Sequence, residues 1–274
     1  MTLHTREPLA AIHLEAEVAL GMAQLSLRGL SEDWWLKHLG DVHWQMIARA
    51  MGQDEPVFRD AQGRLIYAAF CATHFEQPRP DAVPLGGRAH VRSSLWQAGR
   101  SRLQSNHEVF CGERLVLRLR MVSTFVTHGE AGVNKSVFRV PPAIIPVLPA
   151  APDDFAEEAA QKARQLRAIH REQGLNGQNL AHHMPLPDLD FNAVGLLYFP
   201  SFTRIAAEAE AAHGQRLGPV RSRLMLYFGN VEIGEGIRSA VRSETCKTTA
   251  NLALLNTGGG LLATCDSQRH EQKG

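Results

Sequence analysis

The chain states one structural plan twice, and that repetition limits its fold more than any other feature. Each half has an apolar-faced helix followed by short strand-like runs. In the first half, Ser31 is a good N-cap, and Glu32 and Asp33 fall in the first turn, where the helix dipole favours acids. From Glu32 to Met51, Trp35, Leu36, Leu39, Val42, Met46, Ile47 and Ala50 recur at helical spacing and build one apolar face. Gly40 weakens this helix slightly, and Gly52 can end it. Residues Arg64–Phe70 follow an Asp60–Gly63 turn and predict the second arm of a hairpin. Further strands are predicted over Arg88–Gln97, Arg100–Phe110, the strictly alternating Arg114–Arg120, and Ser136–Val140.

Pro141, Pro142 and the Pro146–Pro152 stretch break regular structure and mark a linker. A helix is predicted from Asp154 to about Gln173, ended by Gly174 and Gly177. The plan then returns. Pro200 fits only a first turn, so a helix is predicted from Phe199 to about His213. Strands are expected over Val220–Tyr227, Gly236–Glu244, Thr248–Leu255 and Leu261–Cys265, with Thr257–Gly260 as a hairpin turn. Arg102-Leu103 before Cys111-Gly112-Glu113 looks like Arg223-Leu224 before Ile233-Gly234-Glu235. The expected fold class is α+β, each half one long helix against an antiparallel sheet. The expected division is 1–140, a linker with helix at 141–180, and 181–274.

Composition excludes several classes. A net charge of +1, from 29 basic and 28 acidic residues, gives no field for nucleic acid. No apolar run reaches the ~20 residues that span a bilayer, and Met1–Pro8 lacks an apolar signal core. A cytoplasmic protein without a membrane partner is expected. Cys71, Cys111, Cys246 and Cys265 form no C-x-x-C pair and read as reduced thiols. The 13 histidines show no H-E-x-x-H spacing, and His182 and His183 point apart on a strand, so no metal site is expected.

Two resemblances narrow the reading. Asp190-x-Asn192-x-x-Gly195 before a helix is similar to the entry of the central helix in hot-dog thioesterases. Tyr227-Phe228-Gly229-Asn230 followed by Gly234-Glu235 is similar to their strand-turn-strand signature. Gly29–Lys37 with Gly40-Asp41-Val42-His43-Trp44, and Asn192–Phe199, resemble the bifunctional acyltransferase/decarboxylase family of leinamycin polyketide biosynthesis. The likeness spans about Gly21 to Gln268.

The second resemblance implies a double hot-dog. It implies an enzyme that takes a (methyl)malonyl group from coenzyme A, decarboxylates it and delivers the acyl group to an acyl carrier protein. No cofactor is implied beyond the coenzyme A thioester as substrate, and a homodimer is among the assemblies open to it. The family's tyrosine, credited with carrying or contacting the acyl group, falls on Tyr67.

Decarboxylating a malonyl thioester makes an enolate, so negative charge on the thioester oxygen must be stabilised. Helix N-termini near Ser31 and near Asn192–Gly195 are candidates, although both also read as ordinary caps. Tyr67 needs a base or a lowered pKa to attack, or else donates a hydrogen bond. His43, on the edge of the first helix's apolar face, is a candidate binding residue that more often proves structural, as is His74. Asp41 and Asp190 read as bases or caps, with caps favoured. Asp190 is the base that a thioesterase or dehydratase alternative would use; a non-catalytic carrier-docking module is the other. Arg118, Arg120, Arg221, Arg238 and Arg242 are expected on exposed strand faces, where they could meet coenzyme A phosphates or an acidic carrier.

Overall fold

In the computed structural model, which describes residues 10–144, 146–175, 177–212, 218–242 and 248–271, Ser31 caps the first helix as its position predicts. Its side chain accepts from the Trp34 amide, and α1 runs Glu32–Ala50. Before it lie β1 (Ile12–Ala19) and a small hairpin, β2 (Leu25–Ser26) with β3 (Gly29–Leu30). After it, β4 (Phe58–Arg59) turns into β5 (Leu65–Glu76), the hairpin read from the Asp60–Gly63 turn. Then come β6 (Arg88–Gln97), β7 (Arg102–Cys111), β8 (Arg114–His128) and β9 (Val137–Arg139). α2 (Phe155–Gln173) leads to β10 (Asn179–His183), a short α3 (Pro187–Asp190) and α4 (Phe199–Ala212), followed by β11 (Val220–Tyr227), β12 (Ile237–Val241), β13 (Thr249–Asn256) and β14 (Leu261–Arg269). Cys246, His213 and the predicted end of the Gly236–Glu244 strand lie outside the described residues.

The strand order β1-β6-β7-β8-β5-β11-β14-β13-β12-β10 makes one continuous sheet. Its ladders are antiparallel throughout. The order reads the same from either edge: one strand before a helix, then four after it. β5 corresponds to β11 and α1 to α4. This is a double hot-dog, with the halves joined edge to edge at β5 and β11.

The two-half reading therefore stands, but the residues first matched do not correspond. Arg102-Leu103 lies on β7, two strands away from the counterpart of β11, which carries Arg223-Leu224. Both pairs are Arg-Leu on a strand near a tight turn, a pattern any antiparallel meander produces.

Each helix fills its half-sheet. Trp35, Leu36 and Leu39 of α1 pack with Val91, Val109, Leu117, Leu119 and Phe75. Burying side chains of this size is worth about 1.5–3 kcal/mol each. In the second half, Phe202, Ile205, Ala206 and Ala209 of α4 meet Met225, Leu252, Leu254 and Ala263. α2 crosses the seam on the opposite face, where Phe155, Ala159 and Leu166 cover Ala72, Val122 and Leu226.

A buried charge cluster ties the halves together. Arg223 of β11 reaches Glu32 at the start of α1 and Glu210 of α4, the latter at 2.9 Å. Arg269 pairs with the same Glu210, and Ser267 donates to it at 2.6 Å. Burial pushes the Glu32 carboxyl up despite Arg223.

Candidate functional site

The site arises where the seam opens. β5 and β11 pair only from Ala72 to Glu76 against Ser222 to Leu226. At Cys71 the β5–β8 register slips by a bulge, so Tyr67–Cys71 run on with no strand along the β11 side among the described residues. Between that free edge and Tyr227–Asn230 lies a cavity of about 810 Å³. Gly40, Asp41 and Trp44 of α1 form one wall, and Leu197, Tyr198, Phe199 and Phe202 form another. Gly40 permits this approach, because a Cβ there would sit 3.0 Å from the Phe199 ring.

The free edge keeps backbone donors. The Ala68 carbonyl accepts from the Trp44 indole at 3.0 Å rather than from a strand. A strand residue's N–H and C=O point to the same side, so the Ala68 N–H also faces this open edge.

All three tyrosines of the chain line the cavity: Tyr67, Tyr198 and Tyr227. Tyr227 is spoken for, its hydroxyl 3.0 Å from Thr73 Oγ1. Burial pushes the Tyr198 phenol up to about 12, and nearby Asp41 and Asp33 add to this. Burial also raises Tyr67, so its phenol stays protonated at neutral pH. Its ring meets the edge of His128 at 5.8 Å. His128 Nε2 lies 3.0 Å from Asn134 Oδ1. Asn134 in turn donates to the Gly195 and Val231 carbonyls, both at 2.7 Å.

Of the candidate site residues read from sequence, the structure brings Tyr67, Asn192 and Asp41 to the cavity, and leaves Ser31, His43, His74, Asp190 and Gly195 off its walls. Ser31 caps α1 at the end held by the Arg223 cluster, far along the helix from Gly40 and Asp41. His43 is fully buried between Ser105 Oγ and Ser123 Oγ, each at 2.8 Å. Burial drives its pKa down to about 3, so it is a neutral core residue and not a ligand contact.

Asn192 lines the cavity, but its Oδ1 is taken by the Val194 and Leu196 amides. It is a loop former rather than a cap, since α4 starts only at Phe199. Gly195 turns that loop with φ +79° and offers its carbonyl to Asn134. Asp190 is neither base nor cap. Burial would raise its carboxyl, but the Leu186 amide and the Arg204 guanidinium outweigh burial and hold it below its usual value. His74 is likewise structural, bonded to Ser222 at 2.8 Å and to Arg120.

The expected arginines do not line the cavity. Arg118 pairs with Glu108, Arg120 with Glu76 and Asp153, and Arg242 with Asp266, all away from the cavity. Arg221 and Arg238 do not line it. Among the described residues, the cations on the cavity wall are Lys135, Arg139 and Arg167. Arg139 and Arg167 lie close enough to Cys71 to oppose the rise that burial imposes on its thiol.

Asp41 is the residue most underrated by the sequence reading. It sits in the middle of α1, where no cap is needed, and opens to the cavity with its carboxyl pushed up by partial burial, against the pull of His38. The signal was an acid directly after the only glycine in that helix.

No family model matches the chain, and no curated protein matches it. Solved structures do match along nearly its whole length. An acyl-ACP thioesterase from Bacteroides thetaiotaomicron superposes with a TM-score of 0.64 at 10% identity, covering 94% of this chain and 98% of that one. The 12:0-ACP thioesterase from Umbellularia californica gives 0.63 at 11% identity, covering 95% and 94%. At such identities the likeness establishes the double hot-dog fold.

Proposed function

We propose that the chain is an acyl-thioester enzyme whose substrate carbonyl enters the seam cavity beside Tyr67. The observation that carries this reading is a phenol without a hydrogen-bond partner among the described residues, in a largely apolar cavity that also exposes backbone donors. The free edge of β5 can receive the oxyanion that forms when a thioester carbonyl is attacked or enolised. Lys135, Arg139 and Arg167 suit the phosphates of coenzyme A or of a carrier protein's pantetheine arm.

The finer reading is decarboxylation of a (methyl)malonyl thioester with transfer of the acyl group to an acyl carrier protein. Phe70, Leu197, Phe199 and Phe202 solvate a carboxylate poorly, which favours its loss as neutral carbon dioxide. Tyr67 then accepts the acyl group or donates a hydrogen bond to the enolate oxygen.

Hydrolysis is the second reading, and Asp41 favours it. A carboxylate in a central helix, facing the cavity, can draw a proton from water attacking the thioester. It also repels a malonyl carboxylate placed next to it. The matched structures named as acyl-ACP thioesterases agree with this reading, whereas Asp190 has no free carboxylate for it.

Mass spectrometry of a carrier protein after incubation with malonyl-, methylmalonyl- and acetyl-coenzyme A separates the two. A decarboxylated acyl group on the carrier supports transfer; free acid with an unmodified carrier supports hydrolysis. Intact thioester in every reaction contradicts both.

A further inference from the structure

The bonds of Asn134 fix the position of one proton beside Tyr67. Asn134 is buried on the single helical turn after β8. Its two 2.7 Å contacts from Nδ2 go to carbonyl oxygens, which only accept, so that atom must be the amide nitrogen. The remaining atom is then the amide oxygen, which also only accepts. His128 Nε2, 3.0 Å away, must therefore carry the hydrogen between them. A neutral imidazole protonated at Nε2 has its lone pair on Nδ1.

Sheet register puts that ring beside the tyrosine. Tyr67 pairs with Val126, and His128 is two residues further along β8. The two side chains thus share one face as diagonal neighbours, and their rings lie edge to face with centroids 5.8 Å apart; the phenol and Nδ1 are not hydrogen-bonded in the free protein and must close that gap when substrate binds. His128 makes no ion pair with a carboxylate among the described residues, and it is not on the cavity wall; Tyr67 stands between it and the substrate space.

We propose that His128 is the proton acceptor for Tyr67, held in the required tautomer by Asn134. This rests on the reading that Tyr67 acts at the thioester. The phenol proton passes to His128 Nδ1 as the phenolic oxygen bonds to the acyl carbon. The C–S bond then breaks, the leaving thiolate takes a proton from solvent in the open cavity, and Nδ1 gives its own proton up to solvent. Thioester and phenol become aryl ester and thiol, with no other reactant. His128 acts through Tyr67 and is a positioning residue. Asn134 also ties the Gly195 loop and Val231 to the same point, so the tyrosine, its acceptor and the second half's loop are set by one amide.

The test compares His128→Gln, His128→Ala and Tyr67→Phe in the full-length protein, measuring kcat and KM for thioester consumption and the melting temperature. Glutamine keeps an N–H donor for Asn134 but has no basic nitrogen. The expected result is a kcat lowered roughly 10²–10⁴-fold in His128→Gln, with KM and melting temperature near native, and recovery of His128→Ala by added imidazole. A native kcat in His128→Gln with Tyr67→Phe inactive overturns the role of His128 and leaves that of Tyr67. A raised KM with no imidazole rescue makes His128 merely structural and also overturns the proposal. Native turnover in Tyr67→Phe defeats the underlying reading itself.

Discussion

His43 offers a sharp physical test because its burial predicts a pH dependence of definite sign. Its folded pKa is about 3, against about 6.5 in an unfolded chain. Between these values the unfolded state binds a proton that the folded state refuses, so stability falls as pH falls. The contribution is fully present above about pH 6.5 and gone near pH 3. At about 1.4 kcal/mol per pH unit, the whole loss approaches about 5 kcal/mol. His107 adds to the same trend, since burial lowers it too and it shares Ser105 with His43. His43→Gln can keep bonds to both serines while removing the titration. Urea unfolding between about pH 6.5 and pH 4.5 should give the variant a slope shallower by up to one proton, about 1.4 kcal/mol per pH unit. Equal slopes would refute the argument, because they would mean that His43 accepts a proton in the folded state.

Other perturbations have equally definite expectations. Arg223→Met leaves Glu210 and Glu32 buried with less compensation and should cost about 3–5 kcal/mol in urea unfolding; adding Glu210→Gln should restore part of it. Arg139→Gln with Arg167→Gln should raise KM for a coenzyme A thioester roughly threefold to tenfold at low salt, with the gap to native closing as salt rises. Asn192→Ala frees the Val194 and Leu196 amides in the loop before α4 and should lower stability by about 1–3 kcal/mol, measured by thermal or urea unfolding.

Much of the fold is legible locally. Ser31 with Glu32 and Asp33 sets the start of α1, and Pro200 fits the first turn of α4, because caps and proline act through neighbours in sequence. β1 escapes notice although its residues alternate, since Glu15 and Glu17 make it read as polar rather than as an edge strand. β5 and β8 are longer than read, because Thr73, His74, Ser123 and Thr124 are polar but find partners on β11, on α1 and in the turn before β7.

The site is less legible because it is made by what β5 and β11 do not do. The pairing that stops at Ala72 and the bulge at Cys71 are properties of two strands distant in sequence. Asp41 and Asn134 matter because of what those strands leave open. Arg223 shows the limit in the other direction: its charge suggests a surface residue, yet it is fully buried between two carboxylates.

The central claim, that Tyr67 acts on a thioester carbonyl in the seam cavity, is tested most directly by the turnover of Tyr67→Phe against the native protein on the thioester that the native protein consumes. The substitution keeps the ring against His128 and deletes only the hydroxyl. A rate lowered about 10²–10³-fold or more, in a variant of native stability, is the predicted result. Turnover at the native rate contradicts the account.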